Sequence, residues 1–412
     1  MSAPRVVYVL SKFPCYDEAF LLREVHAVAQ RLDTWIFSLR AADESVVHEE
    51  ALRLLPRTLS VPYLFSLRIL RAHLALFWRS PRRYLTALTG LIAGSSSSLE
   101  SLAKNLVLFP KMGWLAHWVL ANGATHLHAG WATYPASAAL VVSEIAGIPW
   151  SFSGHAHDIY LDASELPRKL RLAAFVSTCT GSNASYLRAL APECPPDRVT
   201  VVHHGIRSSD YTPARDGVAS GDEVGARAGS LNVLSVGTLN PHKGFTYLIE
   251  ALAQLVREGR ELQATIVGGG PLEQDLRAQL VRAGLGARVT MTGALTQAAV
   301  IPQYKRSSIF VLMAQPEWHW GIPNVIIEAL AAGNAVITTR FGSVEELVKD
   351  GETGLLVPPK DAAALAAAIR RLADDPGLGQ RLGEAGRAIV ARDFDLDRTA
   401  LWYVDRFSGV AR

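Results

Sequence analysis

The chain has little cysteine, no long apolar run and no dinucleotide-binding fingerprint. Its three cysteines, Cys15, Cys179 and Cys194, have the spacing of neither a disulfide framework nor a metal site, so a reducing compartment, the cytoplasm, is expected. A transmembrane helix needs about 18 or more apolar residues in a row, and polar residues interrupt every apolar stretch. No strand leads into a Gly-x-Gly-x-x-Gly turn with a ribose-binding acid downstream, which argues against a nicotinamide-dependent oxidoreductase.

Acidic residues are scarce in one segment. Residues 51–143 hold nine lysines and arginines but a single acid, Glu100, in a chain whose formal net charge is +3. Arginines stand there among Leu, Phe, Trp and Tyr at helical spacing, a pattern that suits the surface of an anionic bilayer. We therefore expect segment 51–111 to meet the inner membrane surface; an ordinary amphipathic helix with a solvated basic face is the alternative. Nucleic acid is not expected as a partner, because no recognition motif is present.

The predicted elements divide the 412 residues into two α/β halves, since one hydrophobic core seldom organises so long a chain. Strand-like and helical runs alternate in each half, which predicts two parallel sheets covered on both faces. Between the halves lies a stretch rich in Gly, Ala, Ser, Asp and Arg that is typical of a linker. The predicted divisions are an N-terminal domain (1–208), a linker (209–230), a C-terminal domain (231–390) and a C-terminal helix (391–412). This last helix could return to the first domain.

The loop after the first strand of the second half has a glycine at each end and contains a lysine. It runs from Gly237 to Gly244 and places Lys243 beside the start of the next helix. Ligands of open parallel sheets bind outside the carboxyl ends of strands, and helix-start N–H groups together with one ammonium suit a phosphate. A plain turn with an exposed lysine is the alternative. The next strand is followed by residues 268–271, three glycines and a proline, which favour a tight turn.

A carboxylate stands inside an otherwise apolar helix of the second half. The turn from Gly321 to Asn324 leads into this helix, whose first N–H groups favour an anion, although Pro323 has no N–H to offer. Glu328 lies about one turn inside, among Val, Ile, Ala and Leu. A buried carboxylate is costly unless it is paired or bound. Glu328 is therefore expected either to hold the two hydroxyls of a ribose or to form a buried salt bridge.

Two histidines and an aspartate follow a strand of the first half. His155, His157 and Asp158 could ligate a metal, but no third or fourth ligand has a matching spacing, and no metal is expected. A neutral His155 that donates to a sugar or phosphate oxygen fits better. The repeated Asp-x-Asp between Asp393 and Asp397 could hold Mg²⁺, but it precedes a helix rather than following a strand, so helix capping explains it better.

Together these motifs resemble those of retaining glycosyltransferases of family 4, and the resemblance spans essentially the whole chain. The matching segments are residues 10–20, 152–160, 237–244, 268–271, 321–329 and 346–358. The two segments of the first half are similar to the subgroup that makes exopolysaccharides such as colanic acid. The family has the GT-B fold, two Rossmann-like domains with parallel sheets that face each other across a cleft, and this α/β fold is expected here.

The resemblance implies a retaining, hexosyltransferase-like enzyme that needs neither metal nor cofactor. It would move a sugar from a nucleotide-sugar to a lipid-linked or oligosaccharide acceptor in exopolysaccharide or cell-surface polysaccharide synthesis, at the inner face of the plasma membrane. Lys243 would neutralise the donor diphosphate, Glu328 would hold the ribose, and His155 would contact the donor sugar near the reacting carbon. The remaining donor-side positions are Gly237, Thr238, Gly321, Ile322, Pro323, Asn324 and Val325. The acceptor-side positions, on the first domain, are Lys12, Glu18 and Asp158.

The chain departs from the family at two donor-side positions. Trp320 stands where the first glutamate of the family's Glu-x7-Glu motif belongs, so either Glu317 or Trp320 would contact the sugar. Thr238 stands where an arginine usually assists Lys243 on the diphosphate, and losing one charge-assisted contact costs about 1.5–3 kcal/mol. These departures leave a second hypothesis open, a non-catalytic relative of the same fold that binds a nucleotide-sugar or a partner protein.

Overall fold

A computed structural model describes residues 4–43, 47–62, 66–96, 98–161, 163, 165–212, 231–318 and 321–410. The chain divides into two compact units, the first comprising Met1–Gly205 and Leu396–Arg412 and the second Ile206–Asp395. Tyr211, which the sequence places in the linker, is buried in the core of the second unit. The rest of the predicted linker, residues 213–230, lies outside the described residues.

Each unit is built on one sheet. The strands of the first sheet are β1 (Arg5–Lys12), β2 (Asp33–Arg40), β3 (Thr58–Leu59), β4 (His126–Ala129), β5 (Trp150–Gly154), β6 (Val176–Thr178) and β7 (Val199–Val201). The strands of the second sheet are β8 (Leu231–Val236), β9 (Leu262–Val267), β10 (Val289–Met291), β11 (Ile309–Leu312), β12 (Ala335–Thr339) and β13 (Leu355–Val357).

Helices connect the strands. Those of the first unit are α1 (Ala19–Ala29), α2 (Glu49–Leu54), α3 (Leu67–Arg79), α4 (Pro81–Ser95), α5 (Leu99–Asn122), α6 (Tyr134–Ala146), α7 (His157–Tyr160), α8 (Leu166–Leu172) and α9 (Gly181–Leu190). Those of the second unit are α10 (Ser208–Tyr211), α11 (Phe245–Arg257), α12 (Glu273–Arg282), α13 (Gln297–Arg306), α14 (Asn324–Ala332), α15 (Ala362–Asp374) and α16 (Pro376–Asp393). The last helix, α17 (Leu396–Val410), belongs to the first unit.

The strand order reverses near the middle of each sheet. The first sheet runs β3-β2-β1-β4-β5-β6-β7 and the second β10-β9-β8-β11-β12-β13, and the paired strands are parallel. The two predicted parallel sheets are confirmed. In such sheets, ligands bind outside the carboxyl ends of the strands at the point of reversal. That point lies between β1 and β4 in the first unit and between β8 and β11 in the second.

Central strands are buried on both faces, which is why they appear in the sequence as continuous apolar runs. Along β1, Val7 and Val9 pack into a cluster with side chains of α4, α5 and α6. The alternating residues Tyr8 and Leu10 pack into a second cluster with side chains of α1 and α17. The strand is thereby held at a fixed depth, and its carboxyl end is presented at one edge.

The second sheet follows the same rule. In β11, Ile309 and Val311 pack with α11 and α15, whereas Phe310 and Leu312 pack with α14 and α16. Helix α14 is buried almost throughout. Its first residues and the loops after β8 and β11 are therefore positioned by a core on each side of the sheet.

The basic segment forms helices α3, α4 and α5, and one of its cations is buried. Lys111 was predicted as part of the basic surface, but its Nζ donates to the carbonyl oxygen of Leu39 at 2.6 Å, and burial lowers the pKa of its ammonium. The prediction is wrong at this position because α5 turns Lys111 toward β2. Of the described residues, none belongs to a helix with the length and apolarity to cross a bilayer.

Candidate functional site

The loop after β8 folds back over its own beginning. Gly237 follows the strand, Pro241–Lys243 form a single 3-10 turn, and Gly244 takes a left-handed φ of +66° before α11 begins. The aliphatic part of the Lys243 side chain lies beside Gly237, where an added Cβ would be 3.5 Å from Cδ of the lysine. The loop therefore places a cation outside the carboxyl end of the first strand of the second sheet.

Two glycines at this edge allow the loops to pack backbone against backbone. A Cβ at Gly244 would overlap the carbonyl of Met313, which follows β11. A Cβ at Gly268, where φ is +145°, would overlap the carbonyl of Gly237. The loops after β8, β9 and β11 thus meet through main-chain atoms, and side chains would hold them apart.

Glu328 is buried in α14, with 4% of its surface exposed. The helix begins one turn earlier, after an extended Pro323 that provides no side-chain cap. The carboxylate accepts a hydrogen bond from Nε2 of Gln297 at 3.3 Å, and the same amide donates to the hydroxyl of Tyr211 at 2.5 Å. This donor is a neutral amide rather than a cation. Glu328 is thus held in a fixed orientation beside the helix start.

The structure says less about Glu317 and Trp320, the two residues predicted to contact the donor sugar. Glu317 is exposed and pairs with Lys360, with Nζ 2.6 Å from Oε1. The hydrogen bond from Lys360 holds the pKa of Glu317 below its usual range. If Glu317 contacts the sugar, its carboxylate binds both the sugar and Lys360. This sugar contact stays a prediction. Trp320, the other candidate, lies outside the described residues.

In the first unit, Asp158 holds the backbone on which His155 stands. One carboxylate oxygen accepts from the amide of His155 at 2.7 Å and the other from the amide of Ala132 at 2.6 Å. The side chain thereby joins the loops that follow β5 and β4. Burial raises the pKa of Asp158 to about 6, and these two N–H donors oppose the rise. Asp158, predicted on the acceptor side, positions His155 through the backbone.

The ring of His155 is neutral at pH 7. Burial, followed by the nearby ring of His128, lowers its pKa to about 3. Its Nδ1 lies 4.0 Å from a carboxylate oxygen of Asp158. A neutral imidazole can donate one hydrogen bond and accept another. This protonation state matches the predicted donor to a sugar or phosphate oxygen.

The acidic and histidine residues of the described ranges form no group of three or more that could hold a metal ion. The Asp-x-Asp residues are engaged elsewhere. Asp393 pairs with Arg392 at 2.7 Å, and Asp397, in the first turn of α17, pairs with Arg31 at 2.5 Å. These ion pairs agree with a structural role for the repeated aspartates.

Lys12 and Glu18 lie at the two ends of the connection between β1 and α1. Lys12 ends β1, and Glu18 ends the 3-10 turn Tyr16–Glu18 that precedes α1. Burial raises the pKa of the Glu18 carboxyl, and the charge of Lys12 opposes the rise. A half-buried carboxylate with a cation nearby thus stands at the reversal point of the first sheet.

Sequence reasoning did not bring the four aromatic rings of this edge together, and it gave Trp131 no role. Phe20 lies in the first turn of α1, and Trp131, His155 and His204 follow β4, β5 and β7; these four residues are here called the aromatic quartet. The ring of Phe20 stacks on that of His204 with centroids 4.2 Å apart, and the rings of Trp131 and His155 are 4.6 Å apart. Phe20 and His155 are separated by 5.2 Å. Position shortly after a strand could have identified Trp131 and His204, whereas Phe20 has no such position.

A chain of buried polar side chains lies in the core of the first unit. Ser153 bonds through Oγ to Nε2 of His128 at 2.9 Å and to the hydroxyl of Tyr403 at 3.0 Å. The hydroxyl of Tyr8 donates to Glu24 at 3.2 Å, and burial raises the pKa of that carboxyl to about 8. Local spacing could not show this network, because Ser153 and Tyr403 are 250 residues apart.

Part of the chain is similar to known proteins. Residues 222–389 match the family model described as Glycosyl transferases group 1. The alpha-D-kanosaminyltransferase of Streptomyces kanamyceticus is 34% identical over 180 residues, which are 44% of this chain and 45% of that protein. The chain spans about half the length of the curated relatives it matches. The matched residues include the loop with Lys243 and the helix with Glu328.

Two solved structures are similar over nearly the whole chain. HepE of Anabaena, solved in complex with UDP-glucose, superposes with a TM-score of 0.69 at 18% identity and covers 98% of this chain and 99% of its own. Sucrose-phosphate synthase of Thermosynechococcus elongatus gives a TM-score of 0.71 at 19% identity, with 99% of each chain covered. At these identities the likeness shows the fold, and the predicted GT-B class of two parallel-sheet α/β domains is confirmed.

Proposed function

We propose that the protein is a glycosyltransferase that takes its sugar from a nucleotide-sugar. The observation that carries the proposal is the make-up of the second sheet's reversal point. Lys243 folds over Gly237 in the loop after β8, and α14, which follows β11, contains the buried carboxylate of Glu328. A diphosphate is recognised by N–H groups and a cation, and a ribose by a fixed carboxylate. The match of residues 222–389 to the group 1 glycosyl transferases supports the same reading.

The proposed transfer retains the anomeric configuration, as in family 4, and uses no metal ion. Negative charge grows on the leaving diphosphate as the sugar–phosphate bond breaks, and Lys243 with the N–H groups at the start of α14 would stabilise it. Attack from the side of the leaving group needs no enzyme nucleophile, and the departing phosphate can accept the acceptor's proton. The neutral ring of His155 can donate a hydrogen bond to a sugar oxygen.

Nucleotide binding tests the donor site. We expect one of UDP, GDP or ADP, at about 100 times its dissociation constant, to raise the unfolding free energy by about 2.7 kcal/mol in a thermal-shift assay. Glu328→Ala should abolish this gain, whereas Glu352→Ala, at an exposed position in a turn of the same unit, should keep it. A protein that none of the three nucleotides stabilises would contradict the proposal.

Turnover separates an enzyme from a non-catalytic relative. Lys243→Ala and Glu328→Ala should each lower the rate at least about tenfold, or about 1.4 kcal/mol in the barrier. The rate is measured as nucleotide release from the donor that binds, with a panel of glycan acceptors. Nucleotide binding without transfer or donor hydrolysis would instead favour the non-catalytic relative. Thr238 and Trp320, which stand where the family has an arginine and a glutamate, already argue for that alternative.

A lipid-linked glycan of exopolysaccharide synthesis is the proposed acceptor, at the inner face of the plasma membrane. The outer surface of α3, α4 and α5 supports this. Helix α3 buries Ile69, Ala72 and Leu76, yet Trp78 is 80% exposed. The other large exposed apolar side chains of these helices are Leu67, Leu70, Leu74, Phe77, Leu85, Ile92, Leu99, Leu106 and Val107. Interspersed exposed arginines are Arg68, Arg71, Arg79, Arg82 and Arg83.

Such a surface suits the interface of an anionic bilayer, where apolar groups enter the headgroup region and each basic residue contributes about 1 kcal/mol. We expect the protein to sediment with vesicles of phosphatidylcholine and phosphatidylglycerol, and less with phosphatidylcholine alone. The double variant Leu74→Ser/Trp78→Ser should lose most of this binding. Val281→Ser, which removes an exposed apolar residue of the second unit, is the control. Equal sedimentation of all three proteins would contradict a membrane role for α3.

A further inference from the structure

Three helices of the second unit meet at Glu328. Helices α13 and α14 pack against each other, and both pack against α10, the short helix that precedes β8 in the chain. Each helix contributes one polar side chain to the meeting point: Tyr211 ends α10, Gln297 begins α13 and Glu328 lies in α14. Gln297 is 86 residues from Tyr211 and 31 from Glu328, so only the fold brings the three together.

The amide of Gln297 connects the other two side chains. Its Nε2 donates to the hydroxyl of Tyr211 at 2.5 Å and to Oε1 of Glu328 at 3.3 Å. An amide nitrogen has two N–H groups, so these two bonds engage both of them and fix the plane of the amide. Tyr211 is itself held by the core, since it is buried and its ring centroid lies 6.0 Å from that of Tyr304 on α13. The carboxylate of Glu328 is therefore tied, through Gln297, to a ring that the core holds in place.

Packing of the apolar core does not require this arrangement. The buried cluster around Tyr211 consists of aliphatic and aromatic side chains, among them Ile326, Ile327 and Ala329 on α14. A carboxylate and an amide buried there cost free energy unless they are hydrogen-bonded, and apolar side chains of similar shape would pack at least as well. A neutral amide fixes the direction of the carboxylate without neutralising it, which leaves the charge of Glu328 available to a ligand.

The connection before α13 places Gln297 at the sheet edge that carries the loop with Lys243. Helix α13 follows β10, and in the connection the carbonyl of Gly293 accepts from the amide of Gly268 at 2.9 Å. Gly268 in turn lies against the carbonyl of Gly237. The loops after β8, β9 and β10 are thus joined through main-chain atoms, and Gln297 stands at the end of that series.

We propose that Gln297, anchored by Tyr211, is a positioning residue that orients Glu328 for a ribose and thereby sets a preference of the donor site for ribonucleotides over 2′-deoxyribonucleotides. The inference rests on the proposed function, in which Glu328 holds the ribose. An ionised carboxylate has about four acceptor sites on its two oxygens, so one bond from Gln297 is compatible with two more from neighbouring hydroxyls. Those two bonds need one orientation of the carboxylate, because a hydrogen bond weakens steeply as its angle departs from linearity.

Paired dissociation constants measure this role. UDP, GDP and ADP are titrated into the full chain by calorimetry beside their 2′-deoxy forms, and the pair that binds is carried through the variants. The 2′-deoxy form lacks one hydroxyl, so the ratio of its dissociation constant to that of the ribonucleotide measures one of the two ribose contacts. A hydrogen bond to a charged group should make this ratio about tenfold or more in the wild type.

Gln297→Met keeps the length of the side chain and removes the amide. It should lower the ratio at least about threefold, because the ribonucleotide binds more weakly while the 2′-deoxy form changes less than about twofold. Tyr211→Phe removes only the hydroxyl that anchors the amide and should lower the ratio by a smaller factor. Because its ring stays in the core, this second variant tests the role even if Gln297→Met does not fold. Gln303→Met, at a half-buried glutamine of the same helix, is the matched control and should keep the wild-type ratio.

The outcomes separate this inference from the proposed function. A ribonucleotide preference that Gln297→Met and Tyr211→Phe leave intact overturns the positioning role and keeps the donor site. Equal weakening of both forms of the nucleotide shows that Gln297 acts through packing, which also overturns the inference. A wild type that binds none of the nucleotides overturns the proposed function together with the inference. A wild type that binds both forms equally removes the ribose role of Glu328, and the inference with it.

Discussion

The two sheets present the same kind of edge, built from different atoms. At the second sheet, loops pack through backbone, and Gly244 and Gly268 stand where a Cβ would overlap a carbonyl oxygen. At the first sheet, the edge is made of side chains: Glu18 and Phe20 stand at the start of α1, and the other rings of the aromatic quartet follow β4, β5 and β7. Backbone N–H groups at close range suit an anion, and rings with a carboxylate suit a neutral sugar.

This contrast predicts different tolerance to substitution. A backbone edge fails when one methyl group separates its loops, because close-packed main chain cannot repack. A side-chain edge loses its contacts one at a time. Variants at the two edges should therefore differ in size of effect. Two edge variants and one in the buried network of the first unit test the comparison, from the largest effect to the smallest.

Gly244→Ala should be the most damaging. The new Cβ would meet the carbonyl of Met313 and the left-handed φ of +66° would be strained, so we expect a loss of about 2–5 kcal/mol in unfolding free energy, measured by urea denaturation. Gly259→Ala is the matched control, since Gly259 has a φ of +79° with no atom within 4 Å of the added Cβ. If both variants lose the same stability, backbone packing at the second edge is not the cause.

Glu24→Gln should remove a pH dependence that belongs to the first unit. Burial raises the pKa of Glu24 to about 8 from 4.5, so between these values the folded protein holds a proton that the unfolded chain has released. Raising the pH therefore favours unfolding, by about 1.4 kcal/mol per pH unit for one proton. Glutamine mimics the protonated carboxyl and should flatten this slope between pH 5 and about 8.

The exposed Glu49 serves as the control for that slope. Unfolding free energies of the wild type, Glu24→Gln and Glu49→Gln are compared across the pH series by urea denaturation. Glu49→Gln should reproduce the wild-type curve. A Glu24→Gln curve parallel to that of the wild type would show that the buried network does not hold the proton.

Asp158→Asn should have the smallest effect of the three. One of the two backbone amides that the carboxylate accepts, those of His155 and Ala132, would face an NH₂ group, at a cost of about 1–3 kcal/mol in unfolding free energy at pH 7.5. Burial raises the pKa of Asp158 to about 6 from 3.8, so at pH 5 the folded wild type holds a proton that its unfolded chain has released. This proton uptake stabilises the wild type and not the variant, so the gap in unfolding free energy should widen at pH 5. Asp197→Asn, at an exposed position, should stay within about 0.5 kcal/mol.

Much of the fold was predictable from the sequence because its signals are local. Strand-like apolar runs that alternate with helical runs predicted two parallel α/β halves. The signal is clear because strands such as β1 and β11 are buried on both faces. The three glycines and the proline of residues 268–271 predicted a tight turn. A carboxylate in an apolar helix marked Glu328 as buried.

The errors and omissions have one physical origin. Lys111 belongs to a basic run, yet α5 turns it inward against Leu39. Phe20 and His204 stack although they are far apart in sequence. Neither outcome depends on neighbouring residues, because packing between distant elements decides which face of a helix is covered and which loops share an edge.

The sequence by itself determined the class of fold, the loop between two glycines that carries Lys243, and the buried carboxylate of Glu328, because periodicity, glycine positions and the cost of burying charge act over a few residues. Only the tertiary structure decided that Asp158 fixes the backbone of His155, that Glu24 shares a core with a helix from the other end of the chain, and that four rings meet beside Glu18. These depend on strand order, which brings distant loops to one edge of a sheet.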